Sequence, residues 1–113
     1  MKRGEIYYAA LNPTVGSEIQ KIRPVLIVSN NIANKFSELI TIVPLTSQVK
    51  KIYNFEVFLS KDETQLPKDS KAQCHQIRTI SKLRLKSNKL GSINNEIMSS
   101  VERAILFHLD IKS

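Results

Sequence analysis

Apolar residues fall along this chain in short alternating or unbroken runs, the spacing of strands, until a helical stripe appears near the end. Residues 5–11 are strand-like, with Tyr7 and Tyr8 on opposite faces. Asn12-Pro13 breaks that run, and residues 14–22 form a polar connection containing Gly16, long for a link between neighbouring strands. Val25-Leu26-Ile27-Val28 is too short for a helix and predicts a strand buried on both faces. Asn30 or Asn31 caps a helical turn that reaches Phe36. Residues 39–45 predict a second buried strand, with Pro44 marking its end or an edge position. Residues 54–59 alternate, placing Phe55, Val57 and Leu59 on one face, and residues 60–69 read as a charged loop. Alternation returns over residues 70–77, with Ala72, Cys74 and Gln76 on one face and Lys71, Gln73 and His75 on the other. Ser81 opens a short turn, and residues 86–93 predict a final strand that Gly91 weakens or bulges.

The period then changes. Ile97, Val101, Ile105 and Leu109 recur at helical spacing, broadened by Met98, Ala104 and Leu106. Asn94 or Asn95 caps this helix, Glu96 lies in its favourable first turn, and His108 sits near its C-terminal end. Short strands followed by one C-terminal helix predict a mostly β fold: a small, curved, antiparallel barrel capped by the helix, in a single domain over residues 1–113. The broad apolar stripe suits either the core or a dimer contact.

Charge narrows the function. Lys and Arg number 17 against 10 Asp and Glu, a net charge of +7, which favours a polyanion such as nucleic acid, an acidic membrane surface or an acidic protein. No apolar run is long enough to span a bilayer, and the N-terminus enters a strand pattern with no signal-peptide core. A single cysteine, Cys74, precludes an internal disulfide and reads as a small buried hydrophobe; a reducing cytoplasm is the simplest location. No Cys/His spacing resembles a zinc site, and no glycine loop for phosphate, Ser-His-Asp spacing or magnesium-binding carboxylate cluster is present; no metal or cofactor is expected. His75 and His108 titrate near neutrality, but nothing in their spacing brings them together.

Arg23 and Thr46 remain. Pro24 restricts Arg23 to an extended backbone at the mouth of its strand, and Thr46 stands just past the end of the next. If the two strands are neighbours, both residues and their adjoining loops converge on one groove. The arginine fork matches phosphate oxygens and the threonine hydroxyl donates beside it, so the pair suits the charge that builds when a ribose 2′-OH attacks its own phosphate. On residue type alone, the commoner role for such an arginine is an edge ion pair with Glu18 or Glu38. Val49-Lys50-Lys51-Ile52-Tyr53, lysines beside a ring, suits single-stranded nucleic acid as well as an ordinary hairpin loop.

Specific motifs now come together. Arg3-Gly4-Glu5-Ile6-Tyr7, Leu11-Asn12-Pro13, Gly16-Ser17-Glu18, Arg23-Pro24-Val25-Leu26-Ile27-Val28, Pro44-Leu45-Thr46-Ser47-Gln48, Leu66-Pro67-Lys68-Asp69-Ser70 and Gln76-Ile77-Arg78-Thr79-Ile80 occur in order along essentially the whole chain. In this the sequence resembles the MazF/PemK family of toxin endoribonucleases. The resemblance implies an SH3-like barrel that forms a homodimer. It implies metal-independent cleavage of single-stranded RNA at short recognition sequences, leaving 2′,3′-cyclic phosphate and 5′-hydroxyl ends. It also implies a cognate antitoxin whose acidic, flexible tail occupies the RNA groove. The family's catalytic arginine and threonine match Arg23 and Thr46; its RNA contacts map to Glu18 and Gln20, to Ser47 and Gln48, and to Gln76. Glu18 and His75 are candidates for the general base.

Two features depart from that pattern. Ala72-Gln73-Cys74-His75 stands where relatives carry an apolar strand ending in an acid, and the first loop lacks the aromatic residue some relatives stack on bases, offering Val15 or Ile19 instead. Two non-nuclease readings stay open: a CcdB-like toxin acting on gyrase through protein contacts, against which the absence of tryptophan counts, and a single-strand RNA-binding barrel without catalysis.

Overall fold

Val25, Leu26 and Ile27 are wholly shielded from solvent, and around them the sheet is built. The computed structural model of the chain describes residues 1–11 and 22–112. Seven strands occur among the described residues: β1 (Glu5–Ala10), β2 (Ile22–Ile27), β3 (Leu39–Thr46), β4 (Glu56–Leu59), β5 (Ser70–Gln73), β6 (Arg78–Ser81) and β7 (Gly91–Ser92). Three helices join them: α1 (Asn31–Phe36), α2 (Lys61–Thr64) and α3 (Asn95–Leu109). The strands form one curled antiparallel sheet, a half-barrel, in the order β4-β5-β3-β2-β1-β7, with β6 also paired to β3.

Each face of the sheet carries its own apolar cluster. Ile6, Leu26, Val43 and Leu45 face Met98, Val101 and Ala104 of α3, while Val25, Ile27, Ile40, Ile42 and Ile80 form the second cluster. The unbroken aliphatic run of β2 thus serves two cores at once, as its sequence predicts. Asn94 is the α3 cap, its side chain accepting the Ile97 N–H at 2.8 Å, and Asn30 caps α1 through the Ala33 N–H. The helical stripe caps the core through Met98, Val101 and Ala104; its last member, Leu109, is exposed.

Several expectations are corrected. Pro44 lies inside β3 and β3 is central, not an edge: it pairs with β2 on one side, and on the other with β6 up to Ile42 and with β5 from Leu45. Pro44 falls in the gap where that second partner changes, where a missing N–H costs least. The strand expected over residues 70–77 ends at Gln73, and Cys74–Gln76 forms a 3-10 turn. Continued alternation would have put Cys74 and Gln76 on one face; the turn buries Cys74 fully and leaves Gln76 exposed. Of residues 86–93 only Gly91–Ser92 is strand, because Ser87 Oγ takes the Tyr8 N–H in place of a ladder carbonyl. The charged stretch 60–69 contains α2, capped by Ser60 and closed by Gln65 in the left-handed region (φ 71°).

Candidate nucleic-acid groove

Register places the two principal residues. Antiparallel pairing sets Val25 opposite Pro44 and Leu26 opposite Val43; carried two residues outward, it sets Arg23 opposite Thr46. On their outer sides Arg23 pairs with Ala9 of β1 and Thr46 with Lys71 of β5. Opposed residues project to the same face, so Arg23 and Thr46 share the face of Val25, Ile27 and Ile42, and Arg78, opposite Ile42, joins them. Both residues are half-buried. The edge ion pair with Glu38 does not form, since Glu38 lies at the far end of β3 from Thr46; the ion pairs among the described residues are Arg3–Glu102, Lys71–Glu56 and Lys89–Glu5.

Thr46 Oγ1 accepts the Gln48 N–H at 3.2 Å. Its own proton is therefore directed elsewhere and is available for donation. Ser47 and Gln48 are exposed just beyond, and Thr46 and Ser47 line a pocket with Tyr8, Pro24, Leu66 and Lys68. Gln76 is exposed at the end of the 3-10 turn, which packs against β3. The chain thus places Thr46, Ser47 and Gln48 at one end of β3, with Arg23 alongside on β2, while Gln76, in the turn between β5 and β6, lies beside the middle of β3. Glu18 and Gln20 lie outside the described residues, as do Val15, Gly16 and Ile19.

Two arginines hold the end of β1, where that undescribed connection begins. Arg84 donates to the Ala10 carbonyl at 3.1 Å and Arg78 to the Leu11 carbonyl at 3.4 Å. On the other flank of Thr46, Lys71 Nζ lies 2.9 Å from Glu56 Oε1, with both side chains nearly buried. Sequence reasoning missed this pair; the available signal was one lone charge of each sign in two short neighbouring strands.

The histidines contradict the expectation that they stay apart. His75 stands 6.2 Å from His108 between ring centroids, and its other neighbour, the Phe55 ring, is at 4.3 Å. Burial holds the His75 pKa below its ordinary 6.5, with His108 and Lys71 acting in the same direction and Glu56 against them. Its Nδ1 and the nearby Gln73 Oε1 are shielded and have no hydrogen-bond partner among the described residues. Burial, aided by Glu56, pushes the Cys74 thiol up to about 12, which excludes it as a nucleophile at neutral pH.

Among the described residues, no helix is long and apolar enough to cross a membrane. Comparison with known proteins fits this geometry. Residues 2–109 match the family model described as "PemK-like, MazF-like toxin of type II toxin-antitoxin system". The chain is 40% identical to endoribonuclease MazF9 of Mycobacterium tuberculosis (strain ATCC 25618 / H37Rv), over 100% of this chain and 99% of that one. It is 36% identical to endoribonuclease EndoA of Bacillus subtilis (strain 168), over 96% and 94%. Its fold is shared with a mycobacterial endoribonuclease solved in complex with its cognate antitoxin (TM-score 0.81, 23% identity, covering 100% and 98%). It is shared equally with MazF of Deinococcus radiodurans (TM-score 0.81, 22% identity, covering 97% and 96%). A half-barrel of this topology, matched along nearly its whole length, makes the chain a member of the PemK-like, MazF-like toxins of type II toxin–antitoxin systems.

Proposed function

We propose that this endoribonuclease toxin cleaves single-stranded RNA, messenger RNA in the cytoplasm, at short recognition sequences and without a metal. In the reaction the ribose 2′-oxygen bonds to the adjacent phosphorus while the bond from phosphorus to the 5′-oxygen breaks. The 2′-hydroxyl proton passes to a base, Glu18 or His75, and the departing 5′-oxygen takes up a proton. The products are a 2′,3′-cyclic phosphate and a 5′-hydroxyl. Because the nucleophile belongs to the substrate, the protein's task is to stabilise charge on the phosphorane. Guanidinium stays protonated in proteins, so Arg23 acts as a fixed cation on the phosphorane oxygens rather than as a proton shuttle. Thr46 donates a second hydrogen bond. Ser47, Gln48, Gln76, Glu18 and Gln20 contact the flanking nucleotides, whose base edges are open to such side chains only when unpaired.

The observation that carries this reading is the β2–β3 register, paired as far as Val25 and Pro44, which when continued two residues brings Arg23 across from Thr46. The net charge of +7 supports a polyanionic substrate and, equally, an antitoxin with an acidic flexible tail competing for the same groove. A homodimer is supported by exposed apolar residues that chain neighbours and register bring near one another: Ile32 and Phe36 on α1, Leu39 at the start of β3, and Leu83 after β6.

The test is incubation of the protein with a long single-stranded RNA and its DNA counterpart in excess EDTA, with Arg23→Ala alongside, followed by mapping of the new ends. Cuts in RNA only, at a few sites, with 5′-hydroxyl ends and none from the variant, are expected. RNA binding without cleavage would favour a non-catalytic barrel, and cleavage by wild type and variant alike would remove Arg23 from the mechanism.

A further inference from the structure

The connection from β3 to β4 spans residues 47–55 and leaves the sheet at Thr46. It carries Ser47 and Gln48, and a loop of that length without strand pairing needs an anchor if its side chains are to read bases. The anchor is the Lys71–Glu56 pair. Lys71 Nζ donates to Glu56 Oε1 at 2.9 Å and to the Lys51 carbonyl at 2.7 Å. Glu56 Oε1 in turn accepts the Tyr53 N–H at 3.0 Å, and the Glu56 N–H returns to the Tyr53 carbonyl at 2.9 Å. One buried ion pair thus fastens the loop backbone at both Lys51 and Tyr53.

The side chains extend the fastening. Tyr53 stacks on Phe55 (5.3 Å, 5° between planes), and Phe55 packs on His75, the neighbour of Gln76. The same scaffold therefore ties the loop bearing Ser47 and Gln48 to the turn bearing Gln76. Tyr53 is 46% exposed, with Lys51 Nζ 4.8 Å and Lys71 Nζ 5.7 Å from its ring centroid. A ring flanked by cations suits a nucleobase with its phosphate. Stability alone does not account for the pair, because apolar side chains of similar volume serve a buried site as well or better. What the charges add is direction: donors and acceptors aimed at the loop backbone.

We propose that Lys71 and Glu56 are positioning residues for RNA recognition, fixing residues 51–53 so that Ser47, Gln48 and Tyr53 meet the nucleotides flanking the cut in one arrangement. This rests on the RNA-cleaving reading of the groove. Removing one partner strands a buried charge and risks the fold, so the informative variant is the double Lys71→Met/Glu56→Gln, which is neutral and close in volume. Lys71→Arg, which keeps the charge and its donors, is the rescue. Two readouts are needed. Limited trypsin digestion, mapped by mass spectrometry at Lys50 and Lys51, reports the loop independently of catalysis. Kinetics and cut-site mapping on RNA report recognition. In a double variant that circular dichroism and melting show to be folded, cleavage after Lys50 and Lys51 is expected to quicken about tenfold, KM to rise about tenfold with kcat within about threefold, and preference at the flanking nucleotides to relax. Lys71→Arg is expected to stay near wild type in both readouts. A folded double variant with wild-type digestion, KM and cut sites overturns the proposal, as does equal loss of kcat and kcat/KM with KM unchanged. If the wild type itself cuts no RNA, the nuclease reading has failed; unchanged digestion in the variant would show separately that the clamp has failed.

Discussion

His75 and His108 meet at 75° between ring planes, one on the turn after β5 and the other near the end of α3. Phe55 closes the other side of His75, and the charged groups around it are Lys71, Glu56 and His108. Burial and two neighbouring bases make His75 harder to protonate in the folded chain than in the unfolded one. The unfolded state therefore binds more protons below pH 6.5, so stability falls as pH drops through and below that value and is level above it. Melting temperatures are expected to decline from pH 7.5 to pH 5.5, with a shallower decline in His75→Gln. Equal slopes in the two proteins would remove His75 as the cause.

Gly91 has no room for a side chain. A Cβ there would stand 2.0 Å from the Thr64 carbonyl oxygen and 3.2 Å from its carbon. That carbonyl belongs to the end of α2, which Gln65 in the left-handed region and the Leu66 N–H on Thr64 Oγ1 hold in place. The backbone cannot step aside cheaply. Gly91→Ala is expected to cost about 3 kcal/mol, the upper part of the range for overpacking, which corresponds to a loss of roughly 10 °C in melting temperature for a domain of this size. A variant melting with wild type would mean that α2 shifts freely.

Features set by local pattern were legible in the sequence. The buried run of β2 and the capped stripe of α3 each follow from residues within one element, and the strand-end positions of Arg23 and Thr46 followed with them. What escaped depends on contacts between elements. Alternation over residues 70–77 continues on paper, yet the chain turns at Cys74–Gln76, where α3 packs against it. The same packing brings His75 to His108. Gly91 announced a special backbone position, but the α2 carbonyl that requires it comes from a stretch that looked like loop. Lys71 and Glu56 form a diagonal pair across β5 and β4, a relation that exists only once the register is known.

Cys74 is fully buried and its thiol is pushed up to about 12, so almost none is thiolate at neutral pH. Native protein is expected to resist iodoacetamide at pH 7.5 and to be labelled fully once denatured. Cys74→Ala is expected to keep its RNA cleavage, because the thiol contributes packing and a weak contact to the Ala72 carbonyl at 3.8 Å. Rapid labelling of the folded protein would contradict the burial assigned to this turn.

The groove chemistry can be separated residue by residue. If Arg23 stabilises the phosphorane, Arg23→Ala removes a charge-assisted donor present where negative charge develops. The expected loss is roughly 100- to 1,000-fold in kcat, or about 3–4 kcal/mol, with RNA bound only moderately more weakly. Arg23→Lys keeps the charge but not the fork, so it should recover only part of that loss. Thr46→Val keeps the shape of the side chain and removes its hydroxyl; a smaller fall in kcat at unchanged KM is expected, because a neutral donor is weaker than a charged one. The pH–rate profile then decides the base. With the His75 pKa held below 6.5, a reaction using it as base loses rate on acidification below that value. A profile that stays flat from about pH 8 to 5 would argue against His75 as an essential titrating group and leave Glu18 as the base to test, by Glu18→Gln under the same conditions.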